Sequence, residues 1–358
     1  MRDRFLRACR RESVDTTPVW FMRQAGRALP EYRAIRERAT LREITGDPAL
    51  CAEVTLQPVN RLGVDAAILF ADITTPLAGI GVELDIVDGV GPVIERPIRT
   101  LEDVAGLRAF DAEAAVGPLL EAIRLVRREA RVPLIGFAGA PFTLASYLVE
   151  GRSSRDAQRL KTLLHADPGT FDRLMAVLVD LTVAYLRAQV AAGAQAVQLF
   201  DSWVGTLSPF DYRQSVAPHM RRLFTGLADL DVPAIHFGTD SAGLLRVMAD
   251  AGGDVIGLDW RIGLADSWAI VPDRALQGNL DPSLLLGPFD AVADQARWIL
   301  EQAAGRPGHV FNLGHGVLPA TDPDDLRRLV DLVHGAGARP IAFDDPSLLT
   351  STTTRSAR

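Results

Sequence analysis

The feature that most restricts this chain is a repeat. Short apolar runs, most of them rich in β-branched and aromatic residues, alternate with stretches of helical spacing. The runs fall at residues 19–22, 66–70, 134–138, 196–200, 234–237, 255–258, 276–278 and 310–313. Between them apolar residues return every three or four positions, as in Phe171, Leu174, Leu178, Leu181 and Tyr185. Strands alternating with helices pair in parallel through right-handed crossovers. Eight such units predict a single closed (β/α)8 TIM barrel over residues 1–338, with an open doubly wound sheet as the alternative. The 358 residues exceed an average domain of ~150, but barrels routinely run longer as one unit.

Two segments break the repeat. Val82 to Glu95 alternates apolar and polar residues around a glycine-containing turn at Gly89, which predicts a β-hairpin inserted after the second strand. Residues 339–358 form an extension that ends in a polar, Ser/Thr-rich tail, and disorder is expected there.

Composition removes several classes of function. A net charge of −7 argues against nucleic acid as a partner, because that contact needs a basic face. No uninterrupted apolar run reaches the roughly 18 residues of a membrane span. The two cysteines, Cys9 and Cys51, cannot build a disulfide framework, which fits a reducing cytoplasm. The N-terminus carries Arg2, Arg4, Arg7, Arg10 and Arg11 without the apolar stretch of a secretory signal, so a surface helix is expected. Lys161 is the only lysine, and it lies in a helix-like segment. Schiff-base and P-loop chemistry both need a placed lysine and are disfavoured. The six histidines are scattered, no His-Glu-x-x-His occurs, and His236 reads more readily as structural, so no metal site is expected.

In a barrel, chemistry stands at the carboxyl ends of the strands. After the first run come Arg23, Gln24, Ala25, Gly26 and Arg27. Two guanidiniums on one short loop suit bidentate capture of carboxylates, or they simply open a solvated helix. Asp72 follows the second run and Asp201-Ser202 ends the fourth; each acid is either a helix cap or a catalytic group. Tyr147, one helical turn past the loop after the third run, is a cavity hydroxyl or a core residue. His315 lies between Gly314 and Gly316, beside the loop that begins at Gln277. Both loops sit where barrels often bind phosphate, which keeps a phosphate-binding barrel as a rival.

Taken together, these segments resemble the uroporphyrinogen decarboxylase family. Pro18-Val19-Trp20-Phe21-Met22-Arg23-Gln24-Ala25-Gly26-Arg27-Ala28-Leu29-Pro30-Glu31-Tyr32-Arg33 is similar to its long N-terminal signature. Gly136-Phe137-Ala138-Gly139-Ala140-Pro141-Phe142-Thr143-Leu144 is similar to its second. Phe70-Ala71-Asp72-Ile73, Phe200-Asp201-Ser202-Trp203, Gly257-Leu258-Asp259-Trp260 and Asn312-Leu313-Gly314-His315-Gly316 add support.

The resemblance implies a cofactor-independent and metal-independent barrel enzyme, usually a homodimer, that acts on uroporphyrinogen III. Its four acetate arms would lose carbon dioxide and become methyl groups, giving coproporphyrinogen III. Arg23, Gln24, Ala25, Gly26 and Arg27 would hold the substrate, and Asp72 would engage the pyrrole N–H groups. Tyr147, Ser202 and His315 would complete the pocket, with Asp72, Arg23, Tyr147 and His315 as the catalytic set. One rival is a corrinoid- or thiol-dependent methyltransferase of the same superfamily, which would need zinc held by cysteine and histidine. The other is a tetrapyrrole-binding protein without catalysis.

Overall fold

The computed structural model describes residues 3–87 and 89–336, so the extension expected at 339–358 lies outside the described residues. The chain folds as an α/β structure around a curled parallel sheet. Its strands are β1 (Ala67–Ile68), β4 (Leu134–Gly139), β5 (Ala196–Asp201), β6 (Ala234–Gly238), β7 (Val255–Gly257), β8 (Ala275–Gln277) and β9 (His309–Val310). They are hydrogen-bonded in that order, each parallel to the next. Between β1 and β4 the chain makes a separate antiparallel pair, β2 (Leu84–Val87) with β3 (Gly91–Ile94).

Every residue of β4, β6, β7 and β8 is buried. That is the pattern of parallel strands covered on both faces, and it explains why they read as apolar runs rather than alternating ones. The covering helices begin where the sequence supplies a cap. Asp47, Asp111 and Asp167 each accept a backbone N–H in the first turn of Pro48–Leu62, Ala112–Glu129 and Pro168–Ala192. Such caps contribute about 1 kcal/mol each. Helix Pro168–Ala192 has the length and hydropathy of a membrane span, yet half of its apolar window is buried inside the fold. Its buried face carries Phe171, Leu174, Leu178, Leu181 and Tyr185, the i, i+3, i+4 stripe of a core helix.

The strand expected at residues 19–22 is not regular. Val19 makes one parallel bridge to Phe311, Phe311 donates its N–H to the Pro18 carbonyl (2.8 Å), and Asp65 donates its N–H to the Val19 carbonyl (2.8 Å). The segment therefore lies between β9 and β1, but side chains take over its ladder. The Val19 N–H reaches Asp65 Oδ2 (2.9 Å), the Phe21 N–H reaches Gln24 Oε1 (3.1 Å), and the Met22 N–H reaches Asn312 Oδ1 (3.1 Å). Pro18 has no N–H to offer. The backbone groups are satisfied without a continuous strand.

Candidate active site

The Phe21–Gly26 turn places the first arginine. Arg23 has a left-handed backbone (φ 58°), and the Met22 carbonyl just before it accepts from the Val317 N–H (2.8 Å). Its aliphatic stem lies directly on Gly316, where any Cβ would overlap it. Arg23 and Arg27 are exposed at this end of the sheet. Ala25 and Gly26 are half-buried between them. Gln24 departs from the expectation that it holds a ligand. It is fully buried, accepting from the Phe21 N–H and donating Nε2–H to the Ala66 carbonyl (3.0 Å). Its amide is committed to shaping the turn.

Asp72 closes a turn with one oxygen and leaves the other open. Its Oδ1 accepts from the Thr74 N–H (2.8 Å) and the Thr74 hydroxyl (2.5 Å), closing an Asx turn. Oδ2 has no hydrogen-bond partner among the described residues, and the side chain is only half-buried. One oxygen is pinned and the other is left to the site.

Tyr147 stands on helix Pro141–Glu150, whose residues 141–149 are all buried. Burial pushes its phenol above the usual range; Asp72 adds to the rise, while Trp203 and Arg23 oppose it. These influences put Tyr147, Asp72 and Arg23 in one electrostatic neighbourhood. The Trp203 indole meets the Tyr147 ring edge-to-face, centroids 6.1 Å apart. Ser202 is half-buried at the end of β5. Its neighbour Asp201 points the other way, fully buried, accepting from the Thr143 hydroxyl (2.9 Å) and 3.7 Å from His236.

His315 closes the ring of loops. Burial pushes its imidazole down to about 4; Arg23 and Arg261 act in the same direction and Asp259 opposes them. The ring is therefore neutral near pH 7. An NMR titration should move the His315 ring signals near pH 4, and a midpoint near the ordinary 6.5 would contradict this burial. The folded value lies below the unfolded one, so this group's stabilising contribution is complete above 6.5 and is lost as pH falls toward 4.

Arg261 and Trp203 belong to this neighbourhood although no role was assigned to either from sequence. Trp203 ends the motif at residues 200–203, which was its available signal, whereas Arg261 stands just past the motif at residues 257–260. Both thiols are buried. Cys51 is buried and pushed up to about 12 by desolvation, and Cys9 is buried in helix Arg4–Cys9. Among the described residues no three His, Cys, Asp or Glu side chains gather as a metal-ligand group.

A curled parallel sheet with arginine, carboxylate, phenol and imidazole groups gathered at its strand carboxyl ends is the architecture of an α/β enzyme. The model of the family Uroporphyrinogen decarboxylase (URO-D) matches residues 1–336. A uroporphyrinogen decarboxylase of Sorangium cellulosum is 55% identical over 337 residues, covering 93% of this chain and 96% of that one. A Thermus thermophilus protein of the same name is 53% identical over 336 residues, covering 94% and 98%. The chain belongs to the uroporphyrinogen decarboxylase family. Among solved structures, a methyltransferase from Methanosarcina mazei superposes with a TM-score of 0.79 at 23% identity, covering 94% of this chain and 98% of that one. A B12-independent methionine synthase from Shewanella sp. W3-18-1 superposes at 0.55 and 13% identity, covering 84% and 89%. Those two likenesses concern the fold alone.

Proposed function

We propose that this chain removes the carboxyl groups of the four acetate arms of uroporphyrinogen III, giving coproporphyrinogen III. The observation that carries this reading is the family match along residues 1–336. For the fold, the finer reading is a closed (β/α)8 barrel in which residues 19–22 supply the strand between β9 and β1 and the β2–β3 pair is an inserted hairpin. The hydrogen bonds of that segment to Phe311 on one side and Asp65 on the other support it.

Loss of carbon dioxide from an acetate arm leaves an electron pair on a carbon that cannot hold it. The pyrrole supplies the sink. A proton adds to the ring α-carbon, and the ring becomes a cation. The C–C bond then breaks, its electron pair returns to the ring, and carbon dioxide leaves. Protonation of the resulting exocyclic methylene and loss of the α-proton restore the pyrrole with a methyl group.

Asp72 is the group we assign to the transient cation. Its pinned Oδ1 fixes the carboxylate and leaves Oδ2 for the pyrrole N–H groups. Arg23 and Arg27 bind the substrate's carboxylates, and Ala25, Gly26, Ser202 and Tyr147 line the space around it. Gln24 acts through the turn it braces. The neutral His315 ring offers a hydrogen bond to a carboxylate arm, and near pH 7 it is a weak proton source. We expect a homodimer in the cytoplasm.

Anaerobic incubation with uroporphyrinogen III, with no added metal or cofactor, tests the reading directly. Coproporphyrinogen III and carbon dioxide should appear. An absolute requirement for an added prosthetic group, or methyl transfer in place of decarboxylation, would reject it.

A further inference from the structure

We propose that Arg261 is a substrate-binding residue that holds a peripheral carboxylate of the substrate, placed across the His315 loop from Arg23. The inference rests on the reading of the substrate above. It starts from how three loops stack. A Cβ on Gly314 would stand 2.6 Å from the Trp260 nitrogen and 3.0 Å from the Asp259 carbonyl carbon. A Cβ on Gly316 would overlap Arg23. Glycine on each flank lets the loop carrying His315 press between the Asp259–Arg261 turn and the Arg23 turn. The two arginines thus approach the histidine from opposite sides.

Arg261 is also unusually well held for a side chain that remains 42% exposed. Its Nε pairs with Asp240 Oδ1 (2.9 Å), its Nη1 with Asp259 Oδ2 (2.7 Å), and its guanidinium lies 4.2 Å above the Trp260 ring. Asp259 itself is fixed. It accepts from the Asp240 N–H (2.5 Å) and the Arg261 N–H (3.0 Å), while Asn279 Nδ2 donates to the Asp259 and Ile262 carbonyls. Nη2 of Arg261 has no hydrogen-bond partner among the described residues.

A guanidinium clamped on two edges, with its third edge open, is a preorganised donor for a carboxylate. The two aspartates outweigh its single positive charge, so its contribution is aim rather than attraction at a distance. Asp240 is 59% exposed and largely screened by solvent, which leaves the open edge usable.

The test compares Arg261→Ala and Arg261→Lys with the unaltered protein on uroporphyrinogen III, at low and high salt. Arg261→Ala should raise KM about tenfold, the weight of one charge-assisted hydrogen bond, with kcat retained. Arg261→Lys should recover part of that loss, and the rise in KM should be similar at low and high salt. Thermal unfolding of both variants separates misfolding from weakened binding. Normal turnover by the unaltered protein with an unchanged KM in Arg261→Ala would overturn this inference alone. So would a loss of kcat at constant KM, which would mean that Arg261 acts through its neighbours. If the unaltered protein releases no carbon dioxide, the parent reading fails instead.

Discussion

Asp72→Ala should abolish nearly all carbon dioxide release while leaving a folded protein. The carboxylate raises the Tyr147 phenol, which Arg23 also influences. The transient pyrrole cation exists only along the reaction path, so its partner affects the rate more than binding. Losing one preorganised electrostatic partner costs about 3 to 4 kcal/mol, a factor on the order of 10² to 10³ in kcat. Asp72→Asn is the sharper variant. It can keep the turn, because its side-chain oxygen still accepts from Thr74, yet it removes the charge. We expect kcat to fall in both variants, with KM much less affected. Carbon dioxide release at the normal rate in Asp72→Asn would show that charge at this position does not drive the chemistry.

Asp65→Ala should strongly destabilise the fold. Asp65 is fully buried, and its carboxylate gathers three distant parts of the chain. Oδ2 accepts from the Val19 N–H (2.9 Å) and His334 Nε2 (2.7 Å), and Oδ1 accepts from Arg4 Nη1 (3.2 Å). The first helix, the irregular segment beside β1 and the helix Pro323–Ala336 thus meet at one side chain. Truncation leaves the buried Val19 N–H without its acceptor and takes one carboxylate partner from Arg4 and the hydrogen-bond partner from His334. Breaking a buried pair in this way costs about 3 kcal/mol or more. In urea unfolding the midpoint should fall without a change in slope. Asp65→Asn should lose less, since it still accepts from the Val19 N–H. Asp65 lies at the amino ends of the strands, away from Asp72, so turnover at low temperature should persist. An unaltered midpoint would show that the clamp adds nothing to stability.

These two aspartates differ in how much the sequence says about them. Asp72 stands directly after an apolar run inside a quoted motif, where a cap and a catalytic acid were the two readings. In the structure one oxygen closes an Asx turn instead of capping a helix, and the other stays open. Asp65 precedes the same run and carried no signal at all, because its partners lie 46, 61 and 269 residues away. Gln24 shows the opposite failure. Its place between Arg23 and Arg27 suggested a ligand contact, but the tight turn that exposes Arg23 turns the amide inward onto Phe21 and Ala66. Arg261 sits one residue past Gly257-Leu258-Asp259-Trp260 and carried no local signal of its own. A strand end flanked by glycine-pressed loops is visible only once the loops are in place.

The sequence by itself determined the period of strands and helices, the family, and the residue types presented at the strand ends. Those follow from local patterning and from motifs whose residues lie within a few positions of one another. Only the tertiary structure decided which polar groups open to the site and which are consumed in building it. It pinned one oxygen of Asp72, buried Gln24, and set Arg261 across from Arg23. The physical reason is that a side chain's role depends on whether its hydrogen-bonding atoms already have partners, and most of those partners come from remote parts of the chain.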